Sequence, residues 1–447
     1  MVHRFGMKHA RSSNGFFKSL SGVKGLSFRL LVVLAAVVLS AVAAPQRRDA
    51  FVESRDHPAI AYSTATPADA VSALNGELQR GSARLEFDPV NGYLRSVLDA
   101  LQIPVESQAL VFSQTSFQGP LINVRNPRAL YFNDNAAVGW VRGGKILEIA
   151  VQDPRQGALF FTLDQEESAA PRFKRNEQCL ACHLSWDTLG VPGLFVMNMH
   201  PLPDDKNAYA VGFTSDHRSP FRERWGGWYV TGDTGGAAHM GNVPVMPEDR
   251  EKLKLADPQQ PLASLEGLFD LNGYISPYSD VLALMVLEHQ THMTNLITRV
   301  GWEERVQSQN PRRDGAGRVE SAAEDLVHYM LFIHEERPGA AIRGTSGFAG
   351  QFEAKGPRDS KGRSLRQFDL EKRLFRYPCS YMIYSEAFHA LPAKAKEVIY
   401  ARMWQILSGQ DRQQRYSALS LPDRQAIVEI LRDTDKDLPG YFQPVTR

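Results

Sequence analysis

The hydrophobic residues of this 447-residue chain change period partway along it, which limits the fold to a mixed one. The runs Ala129 to Phe132, Ala137 to Val141, Lys145 to Val151 and Ala158 to Leu163 are short and rich in Val, Ile, Phe and Tyr. Turn-forming residues separate them at Asn133-Asp134-Asn135, Arg142-Gly143-Gly144 and Asp153 to Gly157, so they predict an antiparallel meander. Strand-like pieces follow at Gly193 to Met199, Ala208 to Thr214 and Trp225 to Thr231. Beyond about residue 250 the period lengthens to about 3.6. Leu282, Met285, Val286, His289, Met293, Leu296, Ile297 and Val300 then share one helical face. Ala322 to Glu336 and Ala393 to Ser408 behave alike, with Gly409 placed to end the second. The expectation is an α+β protein with an antiparallel β-rich N-terminal half and a mainly helical C-terminal half.

The N-terminus reads as an export signal. Arg4, Lys8, Arg11, Lys18, Lys24 and Arg29, with no acidic residue among them, precede an apolar run from Leu30 to Ala44 that contains Ala41-Val42-Ala43. Two readings stand: a cleaved signal peptide over 1–44, or a single uncleaved membrane anchor. Either sends the mature part out of the cytoplasm, to the periplasm, soluble or tethered at its N-terminus. Residues 45–80 are polar and read as a linker with one short helix near Pro67 to Leu78. The remainder divides into a β-rich stretch over 81–170, a segment over 171–250 and a helical part over 251–447. A formal charge of +1 with 43% hydrophobic residues gives no basic excess, so no nucleic-acid partner is indicated.

Cys179-Leu180-Ala181-Cys182-His183, near the junction of the two halves, specifies chemistry by its spacing. Two thiols separated by two residues reach the two vinyl groups of one porphyrin, and the following His lies over the iron as proximal ligand. The motif therefore predicts one covalent haem c, and export to an oxidising compartment agrees with it. No second such motif occurs. A zinc site would leave the adjacent His183 unexplained and lacks a second ligand pair, and the preceding meander does not suit a thioredoxin-like thiol enzyme. The remaining cysteine, Cys379, reads as a buried free thiol. The second ring nitrogen of His183 is expected to donate to a backbone carbonyl or a carboxylate, and a carbonyl in the turn Gly190-Val191-Pro192-Gly193 is one candidate acceptor. Trp186 is either a porphyrin contact or a core aromatic.

The other face of the iron decides what such a haem does. His289 is one distal candidate, on an apolar helix face between Met285 and Met293, with His292 beside it. His239 and Met240 sit in the glycine-rich stretch Gly232 to Gly241, where backbone can approach a flat cofactor. Met246, before Pro247, is the fourth candidate; Met197, Met199 and His200 read as strand residues. Glu288 with His292 and Glu324 with His328, each at i, i+4, form either a second metal site or ordinary helix-surface pairs. The basic loops Asn310 to Arg318 and Gly356 to Arg366 are either solvated connections or arginines reaching haem propionates or an acidic electron partner.

The segments Pro127 to Asp134, Trp225 to Gly232, His239-Met240-Gly241-Asn242 and Arg376 to Tyr381 resemble a family of uncharacterised exported bacterial proteins described as cytochrome c domain-containing. The resemblance runs from about residue 105 to 435 and implies haem binding and redox activity without naming a substrate. Residues 172–178 are charged and Leu184-Ser185-Trp186 follows the His, unlike small cytochromes c. The leading expectation is electron transfer with a redox protein or a small-molecule donor or acceptor. A haem-dependent oxidoreductase of peroxidase type and a haem-based sensor or binding module are the alternatives.

Overall fold

A computed structural model of the chain describes residues 55–199, 212–242, 261–309 and 317–446. The export signal lies outside the described residues, and no helix among those described is long and apolar enough to cross a membrane. Residues 51–447 form one compact unit, so the β-rich, central and helical stretches pack as a single body.

Six strands pair in chain order as an antiparallel meander: β1 Ala109–Val111, β2 Arg128–Phe132, β3 Ala136–Trp140, β4 Ile146–Asp153, β5 Gly157–Asp164 and β6 Phe173–Arg175. The turn residues close the hairpins through their side chains. Asn133 Oδ1 accepts from the backbone N–H of Asn135 and Ala136 at 3.0 and 2.9 Å. Asp153 Oδ1 does the same for Arg155 and Gln156 at 2.8 and 2.7 Å. Gly157 follows at φ +91°, where a Cβ would press on Pro192 O and Thr298 Cγ2.

The period of two sorts the sheet's side chains. Tyr131, Val138, Trp140, Leu147, Ile149, Val151, Leu159, Phe161 and Leu163 are buried in one cluster with residues of α1 Ala70–Arg80 and α2 Leu94–Ala100. Ala59, Ile60 and Tyr62 join it, so part of the stretch 45–80 read as a linker packs on the sheet, and the helix expected there runs from Ala70 to Arg80. Ala109, Val111 and Phe132 belong to a second cluster, built around α4 Val281–Gln309 and α5 Arg318–Met330. Helices α6 Phe348–Ala354, α7 Glu386–His389, α8 Ala393–Leu407 and α9 Leu421–Thr434 complete it. The arrangement is α+β.

Helix α4 is 29 residues long, roughly 44 Å at 1.5 Å per residue. It is buried nearly all round over its first half rather than on the one face the spacing predicted. Its polar residues are therefore bonded inside. Gln290 donates to Asn133 O at 2.7 Å and accepts from Tyr381 OH at 2.7 Å. Gln152 Nε2 donates to Thr298 Oγ1 at 3.1 Å. Glu288 pairs with Arg224 at 3.3 Å, both essentially without solvent contact, and accepts from Ser215 Oγ at 2.5 Å.

Two sequence expectations end differently. Trp225 to Thr231 is not a strand, because Trp225 and Gly227 take positive φ and turn the chain; only isolated bridges form there. The helix expected over Ala322 to Glu336 stops at Met330, with Phe332 and His334 in the left-handed region. Breaking the buried ion pair leaves a carboxylate without its counter-charge. Arg224→Ala is expected to lose about 3–5 kcal/mol in urea unfolding, and Arg224→Ala/Glu288→Gln to recover part of that; equal loss in both would remove the pair from the account.

Candidate functional site

The Cys179–His183 motif is set up by the end of β6. Asn176 accepts from Gln178 N–H at 3.0 Å and opens a single 3-10 turn, Glu177–Cys179, that runs into the short helix α3 Leu180–His183. Positions three apart lie on the same side of such a turn. Leu180 is buried and anchors it, leaving Cys182 exposed and Cys179 half-buried. Burial, then the charge of Glu148, pushes the Cys179 thiol up to about 11.

His183 is fixed from three sides. Its Nδ1 lies 2.9 Å from Gly193 O, within the turn read as one candidate acceptor, and Gly193 N–H donates back to His183 O at 3.0 Å. The ring lies between Phe160 and Phe195, with centroids 4.9 and 5.2 Å away. Asn295 on α4 clamps the next residue, accepting from Leu194 N–H at 3.1 Å and donating to Leu194 O at 2.7 Å. A carbonyl oxygen only accepts, so Nδ1 carries the proton and Nε2 the lone pair. Burial pulls the His183 pKa down to about 4, with the Gly193 bond opposing it, so the imidazole is neutral at neutral pH. These features fit a metal-ligating imidazole beside two thiols, which is what a haem c requires of the chain.

Phe160, Phe195, Arg128 and Glu148 escaped the sequence reading. Ala150 pairs with Phe160 and Glu148 with Thr162, so Glu148 and Phe160 emerge on one face of the sheet. Arg128 Nη1 meets Glu148 at 2.9 Å and Ser116 Oγ donates to the same carboxylate at 2.6 Å, while Arg128 Nε is buried without a partner among the described residues. Period-two patterning was the signal available for this face. Trp186 is 78% exposed, so it is not the core aromatic weighed against porphyrin contact. Its neighbour Asp187 accepts from Thr214 Oγ1 at 3.3 Å, linking the motif loop to the hairpin of β7 Val196–Asn198 and β8 Phe213–Ser215.

The distal candidates separate by what they touch. His289 is buried with both ring nitrogens committed, Nδ1 to His217 Nδ1 at 2.8 Å and Nε2 to Ser380 Oγ at 2.7 Å. It shares no partner with His183. His239 accepts from Gly241 N–H at 3.1 Å and meets Trp225 edge-on, and Met240 packs on Gly226. Gly226 O in turn accepts from Met199 N–H at 2.8 Å, just past β7, so this pair is connected to the strand that leaves the His183 loop. Met246 and His200 lie outside the described residues.

Glu288 and His292 do not pair: Glu288 turns to Arg224, and His292 Nε2 lies 3.3 Å from Arg218 Nη2. Glu324 and His328 do pair, at 2.8 Å, in a network with Arg402 and Tyr416 that ties α5 to α8. Among the described residues no group of three or more His, Cys, Asp or Glu is gathered as for a metal ion. Arg363 is held by Asp359 and Glu429, whereas Arg366 meets Asp134 through Nη2 and keeps Nε and Nη1 buried without a hydrogen-bond partner among the described residues; residues 310–316 lie outside the described residues. Cys379 is fully buried, and burial raises its pKa. No family model, curated protein or solved structure matches the chain.

Two outcomes follow from this geometry. A Cβ at Gly193 would overlap the Asn295 side chain, so Gly193→Ala is expected to cost about 1–3 kcal/mol in urea unfolding; an unchanged midpoint would deny the clamp. His239, His289 and His292 are held neutral by burial, with pKa values lowered to about 4, 3 and 4. Unfolding releases these rings to bind protons, so their contribution to stability is present above about pH 6.5 and is lost as pH falls towards 4. The melting temperature should drop across that window, with a shallower slope in His239→Gln.

Proposed function

We propose that the chain is an exported monohaem c-type cytochrome acting in electron transfer, with haem c attached through Cys179 and Cys182 and His183 as proximal ligand. The observation that carries this reading is the His183 Nδ1 contact with Gly193 O, which leaves Nε2 as the lone-pair nitrogen on the short helix that also carries Cys182 and that Cys179 caps. The haem supplies one-electron chemistry between ferric and ferrous iron.

The chain's own residues set the terms of that chemistry. Gly193 O holds the imidazole's orientation and raises its basicity as a ligand. Phe160 and Phe195 prevent ring rotation and lower the local dielectric constant, which favours the neutral ring. Asn295 fixes the acceptor turn to the longest helix, so the ligand geometry is tied to the core. His239 or Met240 is the pair of distal candidates with a described connection to this loop. The exchange partner is a redox protein or a small-molecule donor or acceptor.

The protein purified from an exporting host with c-type maturation is expected to keep a haem stain on a denaturing gel. Cys179→Ala/Cys182→Ala should lose that stain, and unchanged covalent colour would end the proposal. A low-spin spectrum unreactive to carbon monoxide and cyanide is expected for a carrier. A high-spin haem that binds both would replace electron transfer by a haem-dependent oxidoreductase or sensor. Replacing the distal residue should convert low-spin to high-spin; if His239→Ala and Met240→Ala both leave the spectrum intact, neither is the ligand.

A further inference from the structure

A cleft of about 490 Å³ lies at the C-terminal end of α5, between the segments 331–337, 373–378 and 414–419, and it belongs to neither the motif nor its surroundings. That volume is within the range of small-molecule sites. Three arginines from three separate segments line it: Arg337, Arg373 and Arg415. The same cleft is also lined by the apolar side chains of Phe332, Pro378 and Leu419.

The guanidinium charges are only partly answered by the protein. Arg337 makes no hydrogen bond or ion pair among the described residues. Arg415 donates from both Nε, at 3.1 Å, and Nη2, at 2.5 Å, to the neutral amide oxygen of Gln413 and lies over the Tyr416 ring, so among the described residues its charge meets no carboxylate and its Nη1 is left over. Arg373 meets Asp423 at 3.2 Å. Planar guanidinium groups match carboxylate and phosphate oxygens two at a time, so incompletely matched forks in a cleft also lined by apolar side chains suit an anion with a carbon body.

The backbone of the cleft is itself unusual. Phe332 and His334 both take the left-handed region, at φ +54° and +67°, which bulky residues rarely adopt. Hydrogen bonds of 3.0 Å from Ile333 N–H to His328 O and from Glu336 N–H to His217 O hold this shape. Such conformations persist where the surroundings over-determine them, often at ligand sites. Here the turn aims Glu335 inward, where its carboxylate accepts from Leu374 N–H at 2.7 Å.

We propose that this cleft binds a small organic anion, its carboxylate or phosphate oxygens held by Arg337, Arg373 and Arg415 and its carbon body lying on Phe332, Pro378 and Leu419. Binding is coupled to Glu335. Burial raises its pKa to about 7 against the pull of Leu374 N–H, Arg373, Arg224 and Arg337. His334 is its neighbour in the chain. Protonated Glu335 adds no negative charge beside the ligand, so affinity falls as pH rises between about 6 and 8.

Calorimetric titration of the full-length protein with benzoate, phenyl phosphate, benzyl alcohol and benzamidine tests this. Benzoate or phenyl phosphate should bind saturably, and whichever binds more tightly identifies the preferred head group. Benzyl alcohol should bind at least tenfold more weakly and benzamidine not at all. Arg337→Gln and Arg415→Gln, both at exposed positions, should each weaken the anion about tenfold with unchanged melting temperature. Glu335→Gln should flatten the pH dependence of benzoate binding, the probe whose own charge is constant between about pH 6 and 8. Equal binding of all four probes, no binding of either anion at millimolar concentration, or full affinity in both arginine variants would overturn the proposal. The haem stain is independent of every arm, so this site and the proposed redox function fail separately.

Discussion

Burial of helix α4 is the constraint on which the rest of the structure depends. A helix that meets water on one side places its polar residues there, but α4 has protein on nearly every side over its first half. A buried polar group without a partner costs about 1–3 kcal/mol, so each one on this helix dictates something on a neighbouring element. Gln290 dictates where the β2–β3 turn and Tyr381 lie. Glu288 dictates the positions of Arg224 and Ser215. Asn295 dictates the loop after the Cys179–His183 motif. The sheet and the helices become one body through these bonds as much as through apolar contact.

The same constraint makes the position of His183 rigid although most of its surroundings are loop. His183 and Gly193 exchange two hydrogen bonds across ten residues, which closes the loop on itself. A closed loop can still shift as a unit. Asn295 removes that freedom by holding Leu194 at both backbone groups, and Phe160 reaches the ring from the sheet. The imidazole is thus located by the sheet, the helix and its own loop together. Low dielectric surroundings then keep it neutral, the form a metal ligand needs.

Features carried by local pattern were legible in the sequence. Period-two runs with Asn, Gly and Asp turns marked β2 to β5 within one or two residues, and Gly409 marked the end of α8 at φ +76°. The acceptor for His183 was legible in part: a backbone carbonyl or a carboxylate could serve, and the nearby turn Gly190 to Gly193 was one candidate, which the structure selects. Features decided by distant packing were not legible. Nothing local in Trp225 to Thr231 says that its aromatic and β-branched residues are buried by turns rather than by a ladder. The capping box of Ser420 and Asp423 that starts α9 was a local signal left unused. His289 looked like a ligand because its helix face was apolar, yet its partners His217 and Ser380 come from 72 positions before it and 91 after it.

That histidine pair shows how a buried polar network fixes protons as well as positions. The two Nδ1 atoms are 2.8 Å apart, so one donates and the other accepts. If His289 donated, His217 would carry its proton on Nε2, which is buried without a partner. An orphaned N–H is rarer in proteins than an orphaned acceptor. The better arrangement has His217 Nδ1–H donating to His289, and His289 Nε2–H donating to Ser380 Oγ, which also accepts from Met382 N–H at 3.2 Å. Protonating His289 at Nδ1 would then set two N–H groups against each other, and protonating His217 at Nε2 would bury a charge with no acceptor. Burial lowers both pKa values, and this geometry acts in the same direction. The stack on Tyr329 and Phe332 leaves little room for either ring to turn away. The pair is therefore a neutral strut between α4 and the segments on either side.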